Sequence, residues 1–351
     1  MPARKAIIEI DKVYFINFTC INWLLLWRRR QSIKKLIAII ISLFIILSCY
    51  PQQKEQVILA NSENDIIPEG IAVSNNGEIY VSSIARKKIL MIDEKGHASD
   101  FIQSNQDGFL QGLGIKIDEA KQWLWSVSNE TQDNHCVSKV HAFDIRTQKL
   151  QQQYSIEDTA RHLFNDLTLG ENGKIYITDT YGGSIYEIDP SNQKMQVFIH
   201  DTLIAFPNGI ASNSKGSVYI ATYSHGLIKL DLASRQLTTV KGYTDSIKAF
   251  NLDGILYYKN SIIGVYNGAE HNSNNAIVQY DLNSEGNMIS KERIIDVGNT
   301  YFHEPTAMGI YNSKIYVIAN SYLANYNANK ESVDGIKDKL GPVTILVYPL
   351  E

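Results

Sequence analysis

Between Pro68 and Leu350 the chain repeats one pattern of polar and apolar positions six times. Each repeat opens on a polar side chain and runs directly into a short apolar strand. The openings are Glu69-Gly70-Ile71-Ala72-Val73, Gln111-Gly112-Leu113-Gly114-Ile115 and Asn165-Asp166-Leu167-Thr168-Leu169. They continue as Asn208-Gly209-Ile210-Ala211, Asp253-Gly254-Ile255-Leu256 and Thr306-Ala307-Met308-Gly309-Ile310. A second strand follows in each, from Ile79-Tyr80-Val81 in the first to Ile315-Tyr316-Val317 in the last. Turns between them carry glycine, as in Asn75-Asn76-Gly77. Third strands such as Ile89-Leu90-Met91-Ile92-Asp93 end on an aspartate, read as a turn residue that bonds its own following backbone. The openings are spaced by 42, 54, 43, 45 and 53 residues. Several strands per unit at a period of about 40–50 residues mark a propeller. The pattern therefore predicts an all-β fold, a six-bladed β-propeller over residues 56–351. The sixth repeat lacks an outer strand, and Gln56-Val57-Ile58-Leu59-Ala60 is expected to supply it, removing an exposed sheet edge.

In a propeller the first strand of each blade lines the central channel. The starts of first strands and the loops after second strands then emerge at one mouth. The opening residues are expected to form a ring there: Glu69, Gln111, Asn165, Asn208, Asp253 and Thr306. The plainer alternative is that Asn-Gly and Asp-Gly are turn dipeptides. Electrostatics favours the ring as a cation site. Two carboxylates about 5 Å apart at an effective dielectric near 20 repel by roughly 3 kcal/mol, so a narrow channel holds them only with a cation or a shared proton. Hard oxygen donors suit Ca²⁺ first, with Zn²⁺, Mg²⁺ or Mn²⁺ as further choices.

At these residues the chain resembles the regucalcin/gluconolactonase family of six-bladed propellers, in the calcium-dependent phosphotriesterase-like superfamily. The resemblance rests on Pro68-Glu69-Gly70, Phe164-Asn165-Asp166, Pro207-Asn208-Gly209 and Leu252-Asp253-Gly254. It implies that Glu69, Asn208 and Asp253 bind a divalent cation, with Asn165 contacting the metal, its water or the substrate. It also implies hydrolysis of a lactone or related ester, with Asp253 as ligand and as base or nucleophile. Two departures bear on the substrate. Leu163 stands where sugar-lactone members carry an arginine, and Leu252 replaces the usual proline. His303 is the candidate catalytic histidine, beside Glu304-Pro305-Thr306, and His162 is a second proton acceptor. Candidate substrate contacts are Arg161, His162, Tyr181 and Tyr223, with Asn165 and Thr306 from the ring; His225, Asn267, His271 and Tyr322 share the same loops. The polar stretch 324–340 is expected either to cover the mouth or to form a surface excursion.

A net charge of −4 leaves no basic footprint for nucleic acid. Of the three cysteines, Cys20, Cys49 and Cys136, none has metal-ligand spacing, and Cys136 stands alone in the globular part. Arg28-Arg29-Arg30-Gln31-Ser32-Ile33-Lys34-Lys35 precedes an apolar stretch of 13 residues, 36–48, short for a membrane span and fitting a signal segment. Its end, Ile46-Leu47-Ser48-Cys49, resembles the bacterial lipoprotein signal, in which the cysteine is lipidated. The organisation expected is a leader over 1–48, with translation starting near 31–34, a polar tether over 49–55, and the propeller. A lipid on Cys49 would make the membrane a partner and place the chain at the bacterial cell envelope, on an outer membrane or facing the periplasm. Two functions compete: a metal-dependent hydrolase of a small lactone or ester, and a non-catalytic propeller that binds a ligand or protein at the envelope.

Overall fold

The computed structural model describes residues 55–350, apart from 133, 134, 269–271 and 329. The leader, Cys49 and His271 lie outside the described residues. Among the described residues no helix is long and apolar enough to cross a membrane.

Six four-stranded antiparallel sheets make the six blades of a β-propeller. The innermost strands are Pro68–Val73, Gln111–Asp118, Phe164–Leu169, Pro207–Ser212, Leu252–Tyr258 and Met308–Tyr311. In the sixth sheet the outermost strand is Gln56–Leu59, paired with Thr344–Pro349 in the register Gln56↔Val347 to Leu59↔Thr344. The two ends of the propeller domain are thus joined by backbone hydrogen bonds within one blade.

Period-2 alternation on both faces of every sheet explains the packing. Each gap between neighbouring blades has its own apolar core. Tyr176 and Ile185 of blade 3 meet Ile210 and Val218 of blade 4, and Ile71 and Val81 of blade 1 meet Ile318 and Ile345 of blade 6. The turn aspartates hold their hairpins: Asp93, Asp144, Asp189 and Asp231 each accept a backbone N–H two or three residues on.

The innermost strands carry one irregularity in common. In blades 1 to 5 one extra residue is inserted against the second strand, between Pro68 and Ile71, Gly112 and Ile115, Phe164 and Leu167, Pro207 and Ile210, and Leu252 and Ile255. A bulge of this kind re-aims side chains and frees a backbone N–H. Hydroxyls from the second strand take up the freed groups: Ser82 accepts from Gly70 N–H at 2.8 Å and Thr178 from Asp166 N–H at 3.0 Å.

The bulges also correct the ring. In blade 2 the inserted pair is Leu113-Gly114, so Leu113, not Gln111, stands at the ring position; Gln111 pairs with Asn129 in the ladder. The sequence Gln111-Gly112-Leu113-Gly114 offers two such dipeptides two residues apart, which strand periodicity alone does not separate.

The bulge glycines are not turn residues. Gly209 and Gly254 lie within strands, and each abuts the next blade. A Cβ on Gly209 would sit 2.4 Å from the Asp253 carbonyl oxygen, and one on Gly254 would sit 2.8 Å from that of Thr306. The Asn-Gly and Asp-Gly pairs therefore serve close approach at the axis. Gly209→Ala is expected to cost about 2 kcal/mol or more, because backbone rather than a flexible side chain must move. Guanidinium denaturation checks this, and an unchanged midpoint would contradict it.

Candidate metal centre

The bulges bring Glu69, Asn165, Asn208 and Asp253 to the channel mouth, and a second set of side chains holds them. Each partner follows the second strand of a blade. Asn165 Nδ2 donates to Thr180 Oγ1 at 3.1 Å, and Asn208 Nδ2 donates to Tyr223 Oη at 2.6 Å. Asn267 Nδ2 donates to Asp253 Oδ2 at 2.6 Å. The last partner crosses the closure of the ring: Ser321 Oγ of blade 6 donates to Glu69 Oε1 of blade 1 at 2.6 Å. Thr306 is buried and spends its hydroxyl on the Glu69 carbonyl at 3.1 Å, so it fixes the ring.

The carboxylates here are unbalanced. None of the described lysines, arginines or histidines forms an ion pair with Glu69 or Asp253. Burial pushes the Glu69 carboxyl well above the usual carboxylate range, and the Asp253 charge adds to this. Burial pushes Asp253 up to about 7, against the lowering effect of the Asn267 and Asn208 amides. Glu304, which the sequence reading passed over, is a third member. Its carboxyl is raised by burial, and its charge bears on both Glu69 and Asp253. Lys116, deeper in the channel, faces Asp166 at 3.6 Å. The channel cavity that Glu69, Asn165, Asn208 and Lys116 line is only about 20 Å³, room for about one water.

This donor chemistry fits a hard divalent cation. Buried like charges cost energy unless a proton or a cation offsets them. Two carboxylates with amide oxygens and water complete such a shell. Among the described residues no three His, Cys, Asp or Glu side chains gather as a metal cluster, so a cation at these residues would need amide oxygens beside the carboxylates.

The other candidate residues are placed as follows. His162 is engaged away from the ring: its Nδ1 meets Asp179 Oδ2 at 2.5 Å, its Nε2 faces Asp158 at 3.4 Å, and its ring packs edge-on to Tyr186. Asp158 ends an outermost strand and Tyr186 lies on a third strand, which puts the imidazole between sheets. His303 is exposed on the rim, stacked on Tyr322 with ring centroids 5.1 Å apart. Arg161 lies over the Tyr181 ring at 4.2 Å.

The stretch after Tyr322 docks on blade 1. Leu323–Ala328 is a short helix whose Ala324 N–H donates to the Glu304 carboxylate at 2.9 Å. Further on, Ile336 and Leu340 bury against Ile67 and Ile84 in a small core of their own. On the other side of blade 1, the paired strands Trp123–Gln132 and His135–Asp144 extend blade 2 past the mouth. Asn129 in this extension exchanges hydrogen bonds with both backbone groups of Phe164 at 2.8 Å, fixing the neighbour of Asn165.

Fold and mouth together define a six-bladed β-propeller with an acidic, amide-lined axial site. Solved propellers of this architecture include a gluconolactonase from Xanthomonas campestris, 13% identical, with 86% of this chain and 91% of that one covered at a TM-score of 0.55. A calcium-binding regucalcin from Agrobacterium tumefaciens is 15% identical, with 84% and 93% covered and a TM-score of 0.54. Virginiamycin B lyase from Staphylococcus aureus is 14% identical, with 85% and 99% covered and a TM-score of 0.53. At such identities the likeness establishes the fold, and the architecture expected from the four motifs is the one found. No protein-family model and no curated protein matches the chain.

Proposed function

We propose that this chain is a divalent-cation-dependent hydrolase of a lactone or related ester, with the cation held by Glu69, Asn208 and Asp253 and Asn165 beside them. The observation that carries this reading is the pair of half-buried carboxylates, Glu69 and Asp253, at one channel mouth with no described lysine, arginine or histidine paired to either. Ca²⁺ is the first choice of ion. The bound cation would supply Lewis acidity toward the carbonyl oxygen.

The chain's own groups supply the rest. Water adds to the carbonyl carbon, Asp253 takes its proton, the ring C–O bond breaks, and the departing alkoxide recovers that proton as a hydroxy acid forms. A carboxylate beside the polarised carbonyl suits this proton traffic. Tyr223 and Asn267 hold Asn208 and Asp253 in place, so their truncation should loosen the same step. His303 on the rim is a second candidate base. The lipid anchor on Cys49 and a place at the bacterial envelope belong to the proposal on the strength of the leader sequence.

The test compares chelator-treated protein with protein resupplied with Ca²⁺ on glucono-δ-lactone and dihydrocoumarin. A Ca²⁺-dependent gain of about 10²-fold or more on either substrate is the expected result. Equal rates with and without cation contradict the reading, and absence of turnover on both favours the non-catalytic binding propeller.

A further inference from the structure

One flank of the mouth carries aromatic surface that the fold does not require. Tyr181 is 47% exposed, Phe206 54% and Tyr223 40%, all in the loops of blades 3 and 4 that meet the ring. Other exposed apolar residues, such as Val197 and Ile294, sit on outermost strands, where a sheet borders solvent in any case. Phe206 also holds a φ of 52° immediately before Pro207. Ile67 holds the same conformation before Pro68 (φ 49°) but is buried, so the backbone here belongs to the blade openings and the exposure of the ring is what sets Phe206 apart.

Tyr223 joins this surface to the carboxylates. Its ring faces solvent while its hydroxyl receives the Asn208 amide. At the other end, Arg161 stacks on Tyr181, an arrangement that uses the guanidinium face and leaves its N–H edge for an acceptor. Asp158, three residues before it, and Asp179, on the second strand of blade 3, both face His162, and no carboxylate among the described residues pairs with Arg161. The flanks at blades 1 and 2 are built up by the docked segment and the long hairpin, which leaves the aromatic side as an approach.

We propose that the site takes an aryl ester or aryl lactone that carries a carboxylate at the end remote from the reacting carbonyl. This deepens the hydrolase reading and rests on it. The aromatic body lies on Tyr181, Phe206 and Tyr223, and Arg161 binds the remote carboxylate. Arg161 sets the direction, because its guanidinium on Tyr181 attracts an acid to the end of the aromatic surface away from the ring. A polyhydroxylated sugar lactone would find aromatic rings where its hydroxyls need partners, and unpaired polar groups are what a site rejects most strongly. For 4-carboxyphenyl acetate, water adds to the acetyl carbon and the bond from that carbon to the phenolic oxygen breaks, giving acetate, 4-hydroxybenzoate and one proton.

The test has a readout that needs neither cation nor turnover. Binding of 3-phenylpropionate to chelator-treated protein is followed by ligand-observed NMR, with Phe206→Ala and Arg161→Gln as variants and folding checked by circular dichroism. Saturable binding weakened about fivefold in each variant is expected, the loss of one ring or one charged contact. In parallel, kcat/KM with Ca²⁺ should favour 4-carboxyphenyl acetate over glucono-δ-lactone. No binding, binding unchanged in both variants, or preference for glucono-δ-lactone overturns the substrate class. Binding that depends on Phe206 and Arg161, with no ester or lactone hydrolysed, overturns the hydrolase reading instead and leaves the aryl-acid site standing.

Discussion

Asp253→Asn is expected to abolish Ca²⁺ binding and to lower hydrolysis by about 10²-fold or more, while raising the melting temperature of the chelator-treated protein. The two halves follow from one cause. Asp253 is a half-buried acid beside Glu69 and Glu304, and the described side chains that hydrogen-bond it are neutral amides. An asparagine keeps the shape and removes the charge that disfavours the metal-free fold. The same change removes the donor that a cation needs and the group that handles the proton. Destabilising core mutations lower activity and stability together, so opposite signs distinguish a working carboxylate from a structural one. Loss of activity with a lowered melting temperature would assign Asp253 to the fold.

The stability of the metal-free protein should fall as pH rises from about 4 to beyond 7. The folded pKa of Asp253, about 7, lies above its unfolded value of about 3.9. The folded state therefore binds more protons across that window, and stability decreases with pH. Glu69 and Glu304, both raised by burial, act in the same sense. The turn aspartates act oppositely: hydrogen bonds hold Asp93, Asp144, Asp189 and Asp231 below the usual range, so their contribution is lost as pH falls through their folded values. A stability maximum in mildly acidic solution results. Ca²⁺ at a hundredfold excess over Kd should add about 2.7 kcal/mol at neutral pH, and its affinity should weaken as acid protonates the carboxylates. Chemical denaturation at several pH values, with chelator and with Ca²⁺, checks both statements. A metal-free stability that rises between pH 5 and 8 would contradict them.

The sequence made the blades legible because each inner strand begins with one polar residue and then alternates. Glu69, Asn208 and Asp253 stood out for a related reason: each precedes a glycine that the neighbouring blade's backbone demands. The side chains that hold them were only partly visible. Thr180, Tyr223 and Asn267 follow their ring residues by 15, 15 and 14 positions, a period that could have been searched for directly. Ser321 reaches across 252 positions to Glu69, which requires knowing that the ring closes.

Blade 2 misled the reading because two X-Gly pairs share one face. Its long hairpin was missed as well, since Ser128-Asn129-Glu130-Thr131 lacks the apolar alternation that marks strands. Glu304 escaped notice because it lies outside any strand and turns inward at a φ of 59°. The 324–340 stretch reads as polar, and only Ile336 and Leu340 betray that it docks.

The central claim is that the ring is a cation site, and calorimetric titration of Ca²⁺ into chelator-treated protein tests it most directly. Saturable binding to one site, lost in the Glu69→Gln/Asp253→Asn double variant, is the predicted result. Absence of heat and of any stabilisation with Ca²⁺, Zn²⁺, Mg²⁺ and Mn²⁺, in protein that is folded, would contradict it.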